Sequence, residues 1–271
     1  LIETRAPKRT LILGPTYSEY SRELSFSGST QDYYHLQEAE DFELDVEDLC
    51  RTLLNGYDFL ILCNPNNPTS SAILKDEMRA LLSFCANRDI FVMIDETYVE
   101  FAPSVQEVTA VPYTKDFSNL MVLRGVSKFY AAPGMRFGYG ITGNKEFLSQ
   151  MKEKQIPWSL NSLGAYAGEQ MFKDTSYIRQ TRALILTERD RMFLELKKMS
   201  SFKVYFPYGN FILVKILKPE VTSFDVFEAC IKEGLMIRDC SSFQCLDGEF
   251  IRFCIMKPED NNRLLKVLKT I

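Results

Sequence analysis

The chain has 271 residues, of which 46% are hydrophobic and 25% are charged, and its formal net charge is −4. This composition is ordinary for a globular protein of about two domains, and the negative charge argues against a nucleic-acid-binding or membrane-binding surface. The seven cysteines are scattered and His35 is the single histidine, so we expect no metal site and a reducing, cytoplasmic environment.

Strands and helices alternate through the first part of the chain. A helix is expected over Leu74–Arg88, where Leu74, Met78, Leu81, Leu82 and Cys85 recur on one face. The apolar runs predict strands at Thr10–Leu13, Tyr57–Cys63, Ile90–Ile94, Leu120–Leu123 and Phe137–Thr142. This alternation predicts an α/β fold with a mostly parallel sheet covered by helices.

A different pattern begins near residue 163. One long helical region is expected over Leu163–Met199, and a smaller α+β part follows it. Its predicted elements are strands at Val204–Phe206, Phe211–Leu217, Leu235–Ile237 and Phe250–Met256, a helix at Ser223–Glu233 and a closing helix from Pro258. We therefore expect a large cofactor-binding domain over residues 1–162, and a long linking helix with a small carboxyl-terminal domain over residues 163–271.

The first candidate ligand-binding segment follows the buried strand at Tyr57–Cys63. It reads Asn64-Pro65-Asn66-Asn67-Pro68-Thr69 and forces a sharp loop. Ligands of open α/β sheets bind at the carboxyl ends of the strands, where the amide of Asn67 could be held toward a ligand. Asn-Pro pairs are also ordinary turn formers.

The second segment is the strand at Ile90–Ile94, which ends at Asp95 and is followed by Tyr98. A carboxylate at that depth is costly without a cationic partner. A protonated pyridine nitrogen is one such partner, and at about 4 Å and an effective dielectric near 20 the pair is worth roughly 4 kcal/mol. The rival interpretation, a magnesium site of a nucleotide hydrolase, requires a G-x-x-x-x-G-K-[ST] loop, which this sequence lacks.

The third segment places Ser127 and Lys128 after the strand at Leu120–Leu123, with Arg136 eight residues beyond the lysine. A lysine amine can form a Schiff base with an aldehyde cofactor, while a hydroxyl and a guanidinium hold the cofactor's phosphate. A surface lysine beside a Pro-Gly turn is the simpler alternative.

In this order, N-P-T, D-x-x-Y, S-K and P-G-x-R-x-G-Y resemble the fold-type I pyridoxal-phosphate enzymes of the class I/II aminotransferase superfamily. The resemblance implies pyridoxal 5'-phosphate as cofactor, a homodimer, and a small amino substrate with a 2-oxo acid. It also implies catalytic or cofactor-binding roles for Asn67, Asp95, Tyr98, Ser127, Lys128 and Arg136, hydrogen bonding of Tyr98 to the ring's phenolic oxygen, and stacking of Tyr17 on the ring. Ser70 departs from the family, which usually has Gly there.

Three further residues are candidates for binding substrate. Arg252 lies centrally in the apolar strand Phe250–Met256, and an arginine there needs an anion such as a carboxylate. The resemblance implies that Arg252 binds the substrate α-carboxylate, and Arg238 is assigned to a substrate phosphate, with structural ion pairs as the alternatives. Asn210 is a weaker candidate for the carboxylate site, or else a hairpin-turn residue.

Within the superfamily the chain is most similar to the histidinol-phosphate aminotransferase group, through Asn64–Thr69, Asp95–Phe101 and Ile237–Asp239. Thr16–Tyr20 and Ile156–Asn161 look more like threonine-phosphate decarboxylase. We expect transamination, the commoner activity, with decarboxylation as the alternative. The family's amino-terminal phosphate-binding segment is not visible, so a fragment or a shortened non-catalytic paralogue is a further alternative.

Overall fold

The computed structural model describes residues 1–271 and contains two β-sheets. In the larger sheet all neighbouring strands run parallel except the last pair, which is antiparallel. The spatial order is β2-β1-β3-β4-β5-β6, formed by β1 (Arg9–Gly14), β2 (Thr30–His35), β3 (Phe59–Cys63), β4 (Phe91–Asp95), β5 (Leu120–Gly125) and β6 (Gly138–Ile141).

Six helices accompany this sheet: α1 (Ile2–Arg5), α2 (Glu19–Ser27), α3 (Val46–Leu53), α4 (Lys75–Ala86), α5 (Val105–Val108) and α6 (Lys145–Lys154). Strands β3 and β4 are apolar except for Asp95 at the end of β4, and they are buried along almost their whole length, as expected for strands covered on both faces. Helix α4 buries Met78, Leu81, Leu82 and Cys85. The predicted α/β fold with a mostly parallel sheet is therefore confirmed.

The long helical region consists of two helices, α7 (Ser162–Lys173) and α8 (Thr175–Leu196), and not of one. Asp174 separates them, because its side chain accepts a hydrogen bond from the backbone N–H of Tyr177 and so caps the start of α8. The second sheet is antiparallel, in the order β7-β8-β10-β9. Its elements are β7 (Phe202–Val204), β8 (Phe211–Ile216), α9 (Ser223–Lys232), β9 (Arg238–Asp239), β10 (Phe250–Cys254) and α10 (Pro258–Leu268).

Two predicted strands of this second sheet are displaced. The strand expected at Leu235–Ile237 is the two-residue β9, because the backbone meets β10 only at Arg238 and Asp239. The strand expected at Val204–Phe206 ends at Val204, the last residue that pairs with β8. Strand β2 was not predicted, since as an edge strand it is only half-buried and its polar residues hide the apolar pattern.

The two sheets are joined by polar contacts. Lys215 on β8 donates to a carboxylate oxygen of Glu38 at 2.6 Å, and the hydroxyl of Tyr205 donates to the other at 2.9 Å. One hydrophobic cluster includes residues of both sheets, such as Ile61 and Ile251. The domain boundary between residues 162 and 163 stays a prediction. No helix combines the length and apolar character needed to cross a membrane.

Candidate active site

Three parallel strands bring the predicted motifs to one edge of the large sheet. Cys63 on β3 pairs with Asp95 on β4, and Asp95 pairs with Leu123 on β5. The loops that follow these positions carry the Asn-Pro motif, the Asp95–Tyr98 segment and the Ser127-Lys128 pair. Segments that are well separated in the chain therefore lie side by side at the strand ends, where α/β proteins bind ligands.

Asp95 is held by three hydrogen bonds from uncharged donors. One carboxylate oxygen, Oδ1, accepts from the backbone N–H of Thr97 at 2.9 Å and from its hydroxyl at 2.5 Å. The other, Oδ2, accepts from the hydroxyl of Tyr20 at 2.7 Å. Asp95 forms no ion pair, so the cation that sequence reasoning required for it is not supplied by the protein.

The titratable groups nearest to Asp95 are neutral. Burial, and secondly the charge of Asp95, raise the pKa of Tyr20 well above its usual value. The same two causes raise the pKa of the buried Cys63 thiol, and burial raises the pKa of Tyr98. Each of these groups keeps its proton near neutral pH, and the carboxylate is left to interact with a cationic ligand.

Asp95, Ser127 and Arg136 line one cavity of about 250 Å³, together with Thr97 and Arg124. Arg124 is neutralised there, because it is paired with the fully buried Glu96 at 2.7 Å. Arg136 is exposed and donates one hydrogen bond to the carbonyl of Pro133, at 3.1 Å. The cavity thus contains a carboxylate, a hydroxyl and a guanidinium without an acidic partner, as the sequence led us to expect.

Lys128 follows Ser127 directly, and its side chain is exposed and takes part in no hydrogen bond or ion pair. It does not line the cavity that contains Ser127 and Arg136. Its amine is therefore free of the acidic partners that would hold it in place.

A second cavity, of about 410 Å³, lies between the two sheets. Tyr17 and Asn67 line it from the large sheet, and Arg238 and Arg252 line it from the small one. A guanidinium N–H of Arg252 donates to the side-chain oxygen of Asn67, which ties the two candidates together. The ring of Tyr17 is 47% exposed and packs edge-on against Tyr20 with 5.8 Å between centroids.

The two arginines are direct cross-strand partners, Arg252 on β10 opposite Arg238 on β9. Neither forms an ion pair; Arg238 donates instead to the hydroxyl of Ser242 at 2.7 Å. Both guanidinium groups approach the ring of Phe243, with 5.5 Å and 6.0 Å to its centroid. Since like charges at such positions repel, an anion bound between the two guanidinium groups would relieve the repulsion.

Tyr98 and Asn210 flank the arginines without lining either cavity. Tyr98 is buried and packs edge-on against Phe211 at 4.9 Å, and Arg252 lies 5.0 Å from the centroid of that same ring. The side-chain oxygen of Asn210 and the Nε of Arg252 are both buried without a hydrogen-bond partner. Because such groups are rarely left unpaired in a folded protein, they indicate a site that a polar ligand completes.

Ser70, the departure from the family pattern, adopts a left-handed conformation with φ of 60°. A side chain there costs about 1 kcal/mol relative to Gly. The hydroxyl compensates, because it accepts a hydrogen bond from the backbone N–H of Gly209 at 2.8 Å. The departure from Gly therefore provides a contact between the Asn-Pro loop and the segment that carries Asn210.

Sequence reasoning missed two groups of contact residues. Thr97 and Tyr20 hold the carboxylate of Asp95, and Ser242 and Phe243 contact the arginines. A signal existed for Tyr20, which lies three residues after Tyr17 in the segment that resembles decarboxylases. No signal in the sequence pointed to Ser242 and Phe243, since they lie in an irregular loop.

The arrangement fits pyridoxal phosphate on two observations of this structure. Asp95 is a partly buried carboxylate without a cation, which suits a protonated ring nitrogen, and Ser127 and Arg136 share its cavity and suit a phosphate. Tyr17, Asn67 and Tyr98 are the remaining candidates for contact with the ring, and Lys128 for the aldehyde.

Comparisons with known proteins agree with this interpretation. The family model described as aminotransferase class I and II matches residues 4–268. A chain of Caldanaerobacter subterraneus with the provisional name threonine-phosphate decarboxylase is 34% identical over 97% of this chain and 70% of its own. The threonine-phosphate decarboxylase of Salmonella typhimurium is 30% identical over 98% of this chain and 71% of its own. The structure of histidinol-phosphate aminotransferase from Clostridium acetobutylicum has a TM-score of 0.92 at 33% identity, covering 99% of this chain and 80% of that one.

We predict that Arg238→Gln stabilises the protein by about 0.5 kcal/mol at low ionic strength, since it removes the repulsion across β9 and β10. With added inorganic phosphate the original protein should become the more stable of the two, because its pair of arginines binds the anion better than the single arginine of Arg238→Gln does. Urea unfolding with and without phosphate measures both effects. Lys8→Gln, which removes an exposed charge elsewhere, is the matched control, and equal phosphate effects in all three proteins would contradict the prediction.

Proposed function

This chain belongs to the class I and II aminotransferase family, whose members depend on pyridoxal phosphate, and on that premise we propose that it decarboxylates a small phosphorylated amino acid such as threonine phosphate. Membership of the family implies an enzyme that depends on pyridoxal phosphate. The reaction and the substrate are what we propose.

The pair of arginines without acidic partners carries the proposed substrate class, and the names of two similar proteins carry the choice of decarboxylation. An amino acid phosphate has two anionic groups, a carboxylate and a phosphate, and can provide one for each guanidinium. Histidinol phosphate has only its phosphate. The two relatives at 34% and 30% identity, both named for threonine-phosphate decarboxylase, support the same substrate class.

Each site residue then has a distinct part. When bound, pyridoxal phosphate would join the substrate amine covalently and withdraw electrons from its α-carbon. Asp95 would hold the ring nitrogen's proton, and Ser127 and Arg136 the cofactor's phosphate. Arg252, with Asn210 nearby, would bind the carboxylate, and Arg238 the substrate's phosphate. The amine of Lys128 would deliver a proton to the α-carbon in place of the departing carbon dioxide.

Transamination, which the sequence alone favoured, is the second candidate. The similar structure from Clostridium acetobutylicum supports it. A transaminase that uses glutamate and 2-oxoglutarate also needs sites for two carboxylates, so the two arginines are compatible with this activity. In that case the Lys128 amine would remove a proton from the α-carbon, instead of delivering one in place of departing carbon dioxide.

One assay separates the two reactions. We predict that the protein with pyridoxal phosphate releases carbon dioxide from threonine phosphate, and forms no glutamate when threonine phosphate or histidinol phosphate is supplied with 2-oxoglutarate. Arg238→Gln should raise the KM for threonine phosphate about tenfold or more, since it removes a charged contact. Glutamate formation without carbon dioxide would establish transamination instead.

We also predict that borohydride reduction traps the cofactor on Lys128. Mass spectrometry of a digest should find the adduct on the peptide that contains Lys128, and Lys128→Ala should abolish it. Lys152→Ala is the control, because Lys152 is an exposed lysine of α6 without a role in the site. An adduct on another lysine would overturn the assignment, and no adduct on any lysine would favour a non-catalytic paralogue.

A homodimer is proposed from the family resemblance and from one exposed apolar segment. Ile156, Trp158, Leu163 and Tyr166 are 65% to 98% exposed, which is unusual for large apolar side chains on a monomer's surface. We predict that light scattering gives twice the mass of one chain and that Trp158→Lys lowers this value. A monomer at high protein concentration would refute the proposal.

A further inference from the structure

The two oxygens of Asp95 are not equivalent. An ionised carboxylate oxygen has two acceptor positions, and Oδ1 uses both for the backbone N–H and the hydroxyl of Thr97. Oδ2 accepts one hydrogen bond, from Tyr20. The single acceptor position that is open to a ligand therefore belongs to Oδ2, the oxygen that Tyr20 already contacts.

Tyr20 is fixed where it makes this contact. It lies in the first turn of α2, is 8% exposed, and packs against the ring of Tyr17. Because its pKa is raised, its hydroxyl stays protonated and acts as a donor throughout the neutral range. Tyr20 and Asp95 are 75 residues apart in the chain. The orientation of the carboxylate therefore depends on a contact between α2 and β4.

Thr97 holds only one of the two oxygens. The terminal torsion of an aspartate is broad and has no sharp staggered minima. Because rotation about the bond to Cβ moves both oxygens together, the contacts on Oδ1 limit this rotation, and the contact of Tyr20 with Oδ2 narrows it further. Two anchors, one on each oxygen, define the plane of the group and the direction of the remaining acceptor position.

We propose that Tyr20 is a positioning residue, which holds Oδ2 of Asp95 in the orientation that accepts the N–H of a protonated pyridine ring. The proposal rests on the pyridoxal-phosphate site described above. It is independent of whether the enzyme decarboxylates or transaminates. Tyr20 does not touch the reacting atoms and acts through Asp95 alone.

The test compares the binding of two ligands to the apoprotein. Pyridoxal phosphate has the ring nitrogen, and its 1-deaza analogue has a C–H group in that position and otherwise the same shape. We expect Tyr20→Phe to weaken equilibrium binding of pyridoxal phosphate about tenfold. Without Tyr20, Oδ2 of Asp95 is no longer held toward the ring, and the hydrogen bond between the charged ring N–H and this oxygen is lost. Binding of the deaza analogue should change less than twofold, since it makes no hydrogen bond to Asp95.

A double-mutant cycle isolates the route of the effect. In an Asp95→Asn background, Tyr20→Phe should not further weaken pyridoxal phosphate binding. Tyr34→Phe is the matched control, because Tyr34 on the edge strand β2 donates to Asp48 at 3.0 Å in an equivalent tyrosine–aspartate contact, and it should alter neither affinity.

Each outcome is decisive. Equal weakening of both ligands would show that Tyr20 only supports the fold of the site, and an unchanged or tighter affinity for pyridoxal phosphate would also overturn the proposal. Failure of the original protein to bind either ligand would contradict the cofactor site itself. Near-ultraviolet circular dichroism of Tyr20→Phe checks that its folded structure is retained.

Discussion

A carboxylate that has no cation of its own, at the end of a buried strand, is the constraint on which this site depends. Asp95 is held by hydrogen-bond donors and not by an opposite charge, so its attraction for a positive ligand is not already satisfied within the protein. Surrounding it with a neutral thiol and two neutral phenols costs stability, because burial disfavours an unpaired charge. That cost is consistent with a group retained for ligand binding.

The candidate groups for binding substrate anions lie on the opposite side of the cleft. The small sheet carries Arg238 and Arg252, whereas Asp95 and the candidate phosphate-binding pair of Ser127 and Arg136 lie at the large sheet. The contact of Arg252 with Asn67 and that of Ser70 with Gly209 cross the boundary. A change in how the two sheets pack would therefore alter the distances from Asp95 to both arginines at the same time.

The sequence was sufficient to predict that the motif residues lie close together, because each follows the end of an apolar strand and a parallel sheet brings those ends together. It could not supply the contacts that depend on register or distance. Tyr20 meets Asp95 only because α2 packs against the large sheet, where it contacts β2. The Arg238–Arg252 pair exists only because β9 joins β10 at two residues. Strand β2 was not predicted because it is a half-buried edge strand whose polar residues interrupt the apolar pattern.

The same reasoning explains why charge does not select between the two candidate reactions. Both use one carboxylate at Asp95, one amine at Lys128 and two guanidinium groups, so the number of charges is equal. What differs is which bond of the α-carbon is weakened, and in the proposed site the orientation of the substrate's carboxylate against Arg252 would decide this. Arg252 is held by Asn67 and flanked by the rings of Phe211 and Phe243. In the proposed site these neutral residues would set the orientation of the arginine. They would therefore influence the choice of reaction more than the charged residues that identify the family.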